Sequence, residues 1–281
     1  MKNRSFIFTA VVASLLYVSC TKPQTTLSEN ERPFNPPIMG WSSWNAFLVD
    51  ISEDIIKHQA DLLVEKGLKD AGYQYINVDD GYFGKRDENG VMQANEKRFP
   101  NGMKPVADHI HSLGMKAGLY TDAGTRTCGS LWNKDSIGIG AGIYGHEPQD
   151  AQLYFGDWGF DFIKIDYCGG EVLGLDEKER YTSIRNSIDK VNKNVSINIC
   201  RWAYPGTWAK DAATSWRISG DINAHWNSLK YVVEKNLYLS AYAGNGHYND
   251  MDMMVVGFRN NSRVGGNGLT PTEEEAHFGL W

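Results

Sequence analysis

The chain has 281 residues, of which 42% are hydrophobic and 22% charged, the balance of a globular protein with room for one large domain or two small ones. A net charge of −6 excludes the basic face that a nucleic-acid partner requires. Aromatic residues reach 12%, with nine Trp and fourteen Tyr, which suits a large core or surfaces that stack on sugar rings.

The first twenty residues read as a separate object. Lys2 and Arg4 precede an apolar stretch from Phe6 to Val18, too short to span a membrane as a stable helix. It closes on Tyr17-Val18-Ser19-Cys20, which resembles a bacterial lipobox. Residues 1–20 are therefore expected to be a lipoprotein-type signal, with lipidation at Cys20 and the mature chain in the periplasm or cell envelope. An ordinary secretory signal cleaved nearby is the alternative. Residues 21–35 are polar and contain Pro23 and Pro33, and are expected to form a tether.

From residue 36 onward, strand-like and helix-like runs alternate. The strand candidates are Ile38–Ser42, Tyr73–Asp79, Lys116–Thr121, Phe162–Asp166, Val195–Cys200, Trp216–Ser219 and Met251–Val255. Several are nearly continuous apolar runs, as parallel strands buried on both faces require. Ser52–Lys66, Pro105–Leu113 and Glu177–Val191 have the apolar spacing of amphipathic helices. The alternation predicts an α/β fold of the TIM (β/α)8 barrel type over residues 36–281. No G-x-G-x-x-G follows the first strand, which disfavours an open doubly wound sheet. Near the end, Thr270, Pro271 and Glu273 form an N-cap, first-turn proline and capping box, opening a helix that continues through Ala276, Phe278 and Leu280 to Trp281. With seven strand candidates and no helix stop signal, the expectation is a barrel lacking its eighth strand.

Acids recur at the strand ends: Asp79 and Asp80, Asp122, Asp166, Asp221, then Asp250 and Asp252. Acids at the C-terminal ends of successive barrel strands face one mouth, where such barrels do chemistry. Two carboxylates, one ionised and one protonated, are the equipment of glycoside hydrolysis. Lys164 lies two residues before Asp166 and so points to the same side of the strand, where its charge would keep Asp166 ionised as a nucleophile. Asp221 follows Gly220, and the neighbouring Trp216 and Trp226 are expected to dry its surroundings and raise its pKa, as an acid/base needs. Arg217 would clamp a sugar hydroxyl or pair with a neighbouring acid. Asp79 and Asp80 are expected to turn into the mouth together as hydroxyl acceptors, with Trp44 and Tyr120 offering stacking or hydroxyl contacts. No His- or Cys-rich cluster has metal spacing, and no calcium-loop pattern is present. Cys128 and Cys168 both follow strand ends and would either form a disulfide, leaving Cys200 free, or remain reduced and buried with it.

Six linked segments, PPIMGWSSWN, YINVDDGYF, KAGLYTDAGTRTC, DAQLYFGDWGFDFIKIDYC, SWRISGD and YNDMDMM, resemble glycoside hydrolase family 27, the α-galactosidase and melibiase group. The resemblance runs from about Pro36 to Trp281. It implies a barrel usually followed by a β-sandwich, which is expected to be missing here. It places the nucleophile on Asp166 and the acid/base on Asp221. It puts sugar contacts on Trp44, Asp79, Asp80, Tyr120, Lys164, Arg217 and Asp252, and a disulfide between Cys128 and Cys168. Where the family often has Cys-Glu-Trp, this chain has Cys200-Arg201-Trp202, in a loop that selects the group at the sugar's C2. The Asp79-Asp80 pair fits galactose with its C6 hydroxymethyl. The implied activity is retaining hydrolysis of terminal α-galactosides without a cofactor. An α-N-acetylgalactosaminidase, a β-L-arabinopyranosidase and a non-catalytic sugar-binding surface lipoprotein are the alternatives.

Overall fold

The computed structural model describes residues 37–259 and 264–281. The expected signal, Cys20 and the tether lie outside the described residues. The architecture is one parallel sheet flanked by helices, with strands β1 (Gly40–Ser42), β2 (Tyr75–Asn77), β5 (Lys116–Asp122), β6 (Phe162–Asp166), β7 (Ser196–Ile199), β8 (Ser215–Arg217) and β9 (Tyr248–Asp250). They are hydrogen-bonded in the order β1-β2-β5-β6-β7-β8-β9, every pair parallel, so each strand lies beside its predecessor in the barrel manner. Among the described residues β1 and β9 are the sheet's edges.

The interior follows from the runs that marked the strands. Ile76, Ala117, Leu119, Ile163, Ile165, Ile197 and Ile199 are almost wholly buried and belong to one core. Register then aligns the chemistry: Tyr120 pairs with Lys164, Asp122 with Asp166 and Arg217 with Asp250. The helices Glu53–Glu65, Lys104–Ser112 and Glu177–Asp189 fall where the periodicity predicts them. Ser52 and Asp176 cap two of them by accepting from Ile55 N and Glu179 N. The last helix, Pro271–Leu280, has the full capping box of Thr270 and Glu273.

Three elements differ from expectation. The final strand is Tyr248–Asp250, and Met251–Val255 is irregular. The Asp250 carboxylate accepts from Asp252 N at 2.8 Å, a side-chain turn that ends the strand where it was expected to begin. A hairpin, β3 (Phe83–Arg86) with β4 (Met92–Ala94), was not foreseen. Asp87 closes it by accepting from Asn89 N and Val91 N, and Gly90 supplies φ 79°. The helix Trp226–Leu239 was also missed; its first turn is capped by the His225 ring, which accepts from Asn227 N. This helix, with Val255, Val264 and Leu269, builds a second small core around Leu229.

Close backbone approach joins the loops after β5 and β6. A Cβ on Gly124 would sit 2.1 Å from the Gly169 carbonyl carbon, so only glycine fits there. Asp122 ties both loops by accepting from Gly124 N at 2.7 Å and Gly169 N at 3.0 Å. Cys128 and Cys168 are thereby brought together and are disulfide-bonded, while Cys200 is a buried free thiol. Among the described residues no helix is long and apolar enough to cross a membrane.

Candidate active site

At the C-terminal strand ends lies a cavity of about 890 Å³. Its wall includes Trp44, Asp79, Tyr120, Lys164, Asp166, Cys200, Arg217, Asp221 and Asp252, together with Cys128 and Cys168 of the disulfide. Residues dispersed over more than two hundred positions therefore share one chamber because parallel strands all end on the same side.

Lys164 is the hub. Its Nζ lies 3.0 Å from Asp79 Oδ2 and 3.9 Å from Asp166 Oδ2, and 5.3 Å from the Tyr120 ring centre. Burial pulls the ammonium pKa down, but Asp79 and Asp166 outweigh it and hold it well above the ordinary lysine value. Asp79 is further fixed by Ser42, whose hydroxyl donates to it, and by its own N–H, which donates to Ser43 Oγ. Asp166 titrates above the usual carboxylate range. Burial raises it, and Lys164 and the Cys200 thiol lower it by less. The cation therefore acts in the expected sense without deciding the outcome, because it sits closer to Asp79 and burial is the stronger effect. Asp166 Oδ1 is buried without a hydrogen-bond partner among the described residues, and Asp166 lines the cavity.

The opposite wall is built on Arg217. Its Nη2 reaches Asp252 Oδ2 at 2.9 Å and Asp221 Oδ1 at 3.1 Å, and its Nη1 donates to Cys200 Sγ at 3.7 Å. Burial opposes the guanidinium's charge, but Asp252 and its neighbours raise its pKa further. Asp252 is pushed up to about 6 by burial, against the lowering influence of Arg217. It is held at φ 78°, a left-handed backbone that costs energy outside glycine and is secured by Ile222 N donating to its carboxylate at 2.7 Å. The surroundings expected around Asp221 are corrected here. Its side chain is 71% exposed and paired with Arg217. Trp216 is buried and donates instead to Asn249, and Trp226 packs on the second core.

Two further expectations change. Asp79 lines the cavity but Asp80 does not; its carboxylate accepts from Gly129 N at 2.7 Å behind the wall, and burial pushes it up to about 7. Arg201 does not line the cavity either. Its guanidinium is drawn to Glu177 at 2.6 Å and lies over the Tyr167 and Trp202 rings, while Trp202 itself is in the wall. The wall also holds Asn45, Trp132, Glu171 and Met253, which were not foreseen: the first three sit in the short helices Trp44–Phe47, Cys128–Trp132 and Cys168–Val172 and Met253 in the irregular stretch after the last strand, so none has strand-end spacing. Among the described residues one grouping has metal-like donor spacing, Asp122 with Cys128 and Cys168. Its two sulfurs are bonded to each other and have no thiolate to offer.

An all-parallel barrel-type sheet with paired carboxylates around buried cations at its C-terminal mouth is the arrangement of a sugar-processing barrel. Residues 36–266 match the alpha galactosidase A family, and the chain belongs to that family, the melibiase group of glycoside hydrolase family 27. Alpha-galactosidase A of Cellvibrio japonicus is 38% identical, covering 100% of this chain and 67% of its own length. The alpha-galactosidase of Cyamopsis tetragonoloba is 40% identical over 91% of this chain and 58% of its own. A putative alpha-galactosidase/melibiase from Bacteroides fragilis superposes with a TM-score of 0.79 and 36% identity, covering 87% of this chain and 53% of that one. The alpha-galactosidase from Saccharomyces cerevisiae with raffinose gives a TM-score of 0.72 and 30% identity, with 87% and 56% covered. The chain thus spans between about half and two thirds of the relatives it matches.

Proposed function

We propose that the protein is a retaining α-galactosidase that releases terminal α-galactosyl residues by double displacement. Asp166 attacks the anomeric carbon while Asp221 protonates the departing oxygen. Asp221 then deprotonates a water that displaces Asp166 and frees α-galactose with net retention. The observation that carries this reading is one chamber holding both carboxylates in different settings. Asp166 is buried beside Lys164, and Asp221 is at the exposed mouth on Arg217. Lys164 favours the charged form of Asp166 in the resting site. The exposure of Asp221 gives it the water it must activate in the second step. Trp44, Asp79 and Tyr120 would hold the galactosyl ring. The relatives' names and the raffinose-bound neighbour support an α-galactoside as substrate.

Hydrolysis of p-nitrophenyl α-galactoside by the parent and by Asp166→Asn is the test, with the released anomer followed by NMR. Release of α-galactose by the parent alone is expected; equal release by both would remove Asp166 as nucleophile. The disulfide supports an oxidising compartment. We accordingly place residues 36–281 outside the cytoplasm, exported by residues 1–20, tethered by residues 21–35 and lipidated on Cys20. Loss of palmitate labelling in Cys20→Ala is the expected result.

A further inference from the structure

One group of metal-type donors lies at the wall of the chamber. Asp122, Cys128 and Cys168 bring a carboxylate oxygen and two sulfurs within 4.8 Å of one another, the one such grouping among the described residues. Around a zinc ion, sulfurs at about 2.3 Å and an oxygen at about 2.1 Å stand about 3.5–3.8 Å apart, so the donors are already near the required spacing. Asp122 is fully buried. In its hydrogen bonds among the described residues it is held by backbone N–H groups and by no cation: Oδ1 accepts from Gly124 N at 2.7 Å, and both oxygens accept from Gly169 N at 3.0 Å. These bonds hold the two loops together without help from the disulfide. So does the contact between Gly124 and Gly169, which is too close for a Cβ on either: one on Gly124 would lie 2.1 Å from the Gly169 carbonyl carbon, and one on Gly169 2.4 Å from the Arg126 carbonyl oxygen. Cys128 is placed further by its N–H, which donates to the Tyr120 hydroxyl at 3.2 Å. The disulfide is therefore one tie among several, and opening it leaves both sulfurs beside Asp122. With their Cα atoms 5.2 Å apart, the two side chains reach the metal spacing by rotation alone. Both cysteines line the cavity, so a small thiol reaches them from the chamber.

We infer that Cys128, Cys168 and Asp122 form a redox-gated site for a thiophilic divalent cation of the zinc and cadmium class, closed while the disulfide is intact. A dithiol opens it. One of its thiolates attacks a disulfide sulfur, its second thiol resolves the mixed disulfide, and it leaves as a cyclic disulfide. Its two protons and two electrons remain on Cys128 and Cys168 as thiols. Binding of the cation releases those two protons and forms two metal–sulfur bonds and one bond to an Asp122 oxygen. Water from the chamber fills the fourth position, as at zinc sites with three protein ligands. Two sulfurs among the donors select against magnesium and calcium, which take oxygen shells. The site forms independently of galactoside hydrolysis.

The test uses the full chain, reduced with dithiothreitol, freed of it by anaerobic gel filtration and titrated with cadmium alone. The reduced chain is expected to bind one more cadmium than the oxidised chain, with a sulfur-to-cadmium charge-transfer band in the ultraviolet. The oxidised chain, which also carries Cys200 as a free thiol, is the baseline. A large excess of magnesium should not displace the extra cadmium. In the reduced chain, Asp122→Asn and, separately, Cys168→Ser should each weaken the extra site by about tenfold or more. Equal cadmium binding before and after reduction overturns the site. An affinity untouched in either folded variant overturns it as well. So does loss of the native circular dichroism on reduction, since the disulfide alone would then hold the loops.

Discussion

Lys164 is the residue on which the floor of the site depends. It stands between two buried carboxylates at 3.0 and 3.9 Å, and its removal leaves both without a nearby cation. Breaking a buried pair by deleting one partner costs about 3–5 kcal/mol, because the remaining charge is stranded. Lys164→Met is therefore expected to lower stability by that order in urea unfolding. It should also raise the Asp166 pKa further, since the cation's lowering influence is lost. The acid limb of kcat/KM should then move to higher pH, which a pH–rate profile reads directly. Asp252 offers a contrasting case. Its carboxylate secures a left-handed backbone turn as well as pairing with Arg217. Asp252→Asn keeps an acceptor for Ile222 N but weakens the hold on Arg217, so activity should fall more than stability.

Among the elements, the two short helices after β5 and β6 matter most, since neither is long enough to be stable alone. The disulfide closes a loop with a sequence separation of 40, for which chain entropy alone predicts about 4 kcal/mol. Cys128→Ser with Cys168→Ser is expected to lower stability by about 2–4 kcal/mol, measured by thermal or urea unfolding. The double variant should also weaken substrate binding, because the helix ends carrying Trp132 and Glu171 lose one of their ties. The capping box at Thr270 is a smaller effect on an exposed helix; Thr270→Ala should cost about 1 kcal/mol.

For the whole molecule, buried acids in and behind the cavity wall set the pH dependence of stability. Asp80 and Asp122 are pushed up to about 7 and Asp252 to about 6, chiefly by burial. In the folded chain each keeps its proton over a range where the unfolded carboxyl has already lost it. Their contribution is thus fully present below pH 4 and is lost as pH rises through 6 to 7. His277 works the other way. Buried, it falls to about 4, so its contribution grows as pH rises from about 4 to 6.5. Three carboxyls outweigh one imidazole, and the urea midpoint is expected to be higher at pH 5 than at pH 7.5. Asp122→Asn keeps the one acceptor oxygen that Gly124 N and Gly169 N share, and should shrink that difference. Among the described residues the sheet's two edge strands are only three residues each, which limits the template they present to another chain.

Much of this was already in the amino-acid order. Apolar runs of strand length, capped amphipathic helices and acids at successive run ends specify a parallel barrel-type sheet with its chemistry at one mouth, because periodicity and strand polarity are local properties. The linked segments around Asp79, Asp166 and Asp221 named the family for the same reason. The hairpin at Phe83–Ala94 and the strand boundary at Asp250 escaped because a side-chain turn outweighed the apolar pattern. What only the tertiary structure decided is which charges meet and which are dry. Lys164 leans to Asp79 as well as to Asp166, Asp80 turns behind the wall, Arg201 turns to Glu177, and Asp221 stands in solvent. Burial and pairing depend on neighbours far along the chain, and so does every pKa in the site.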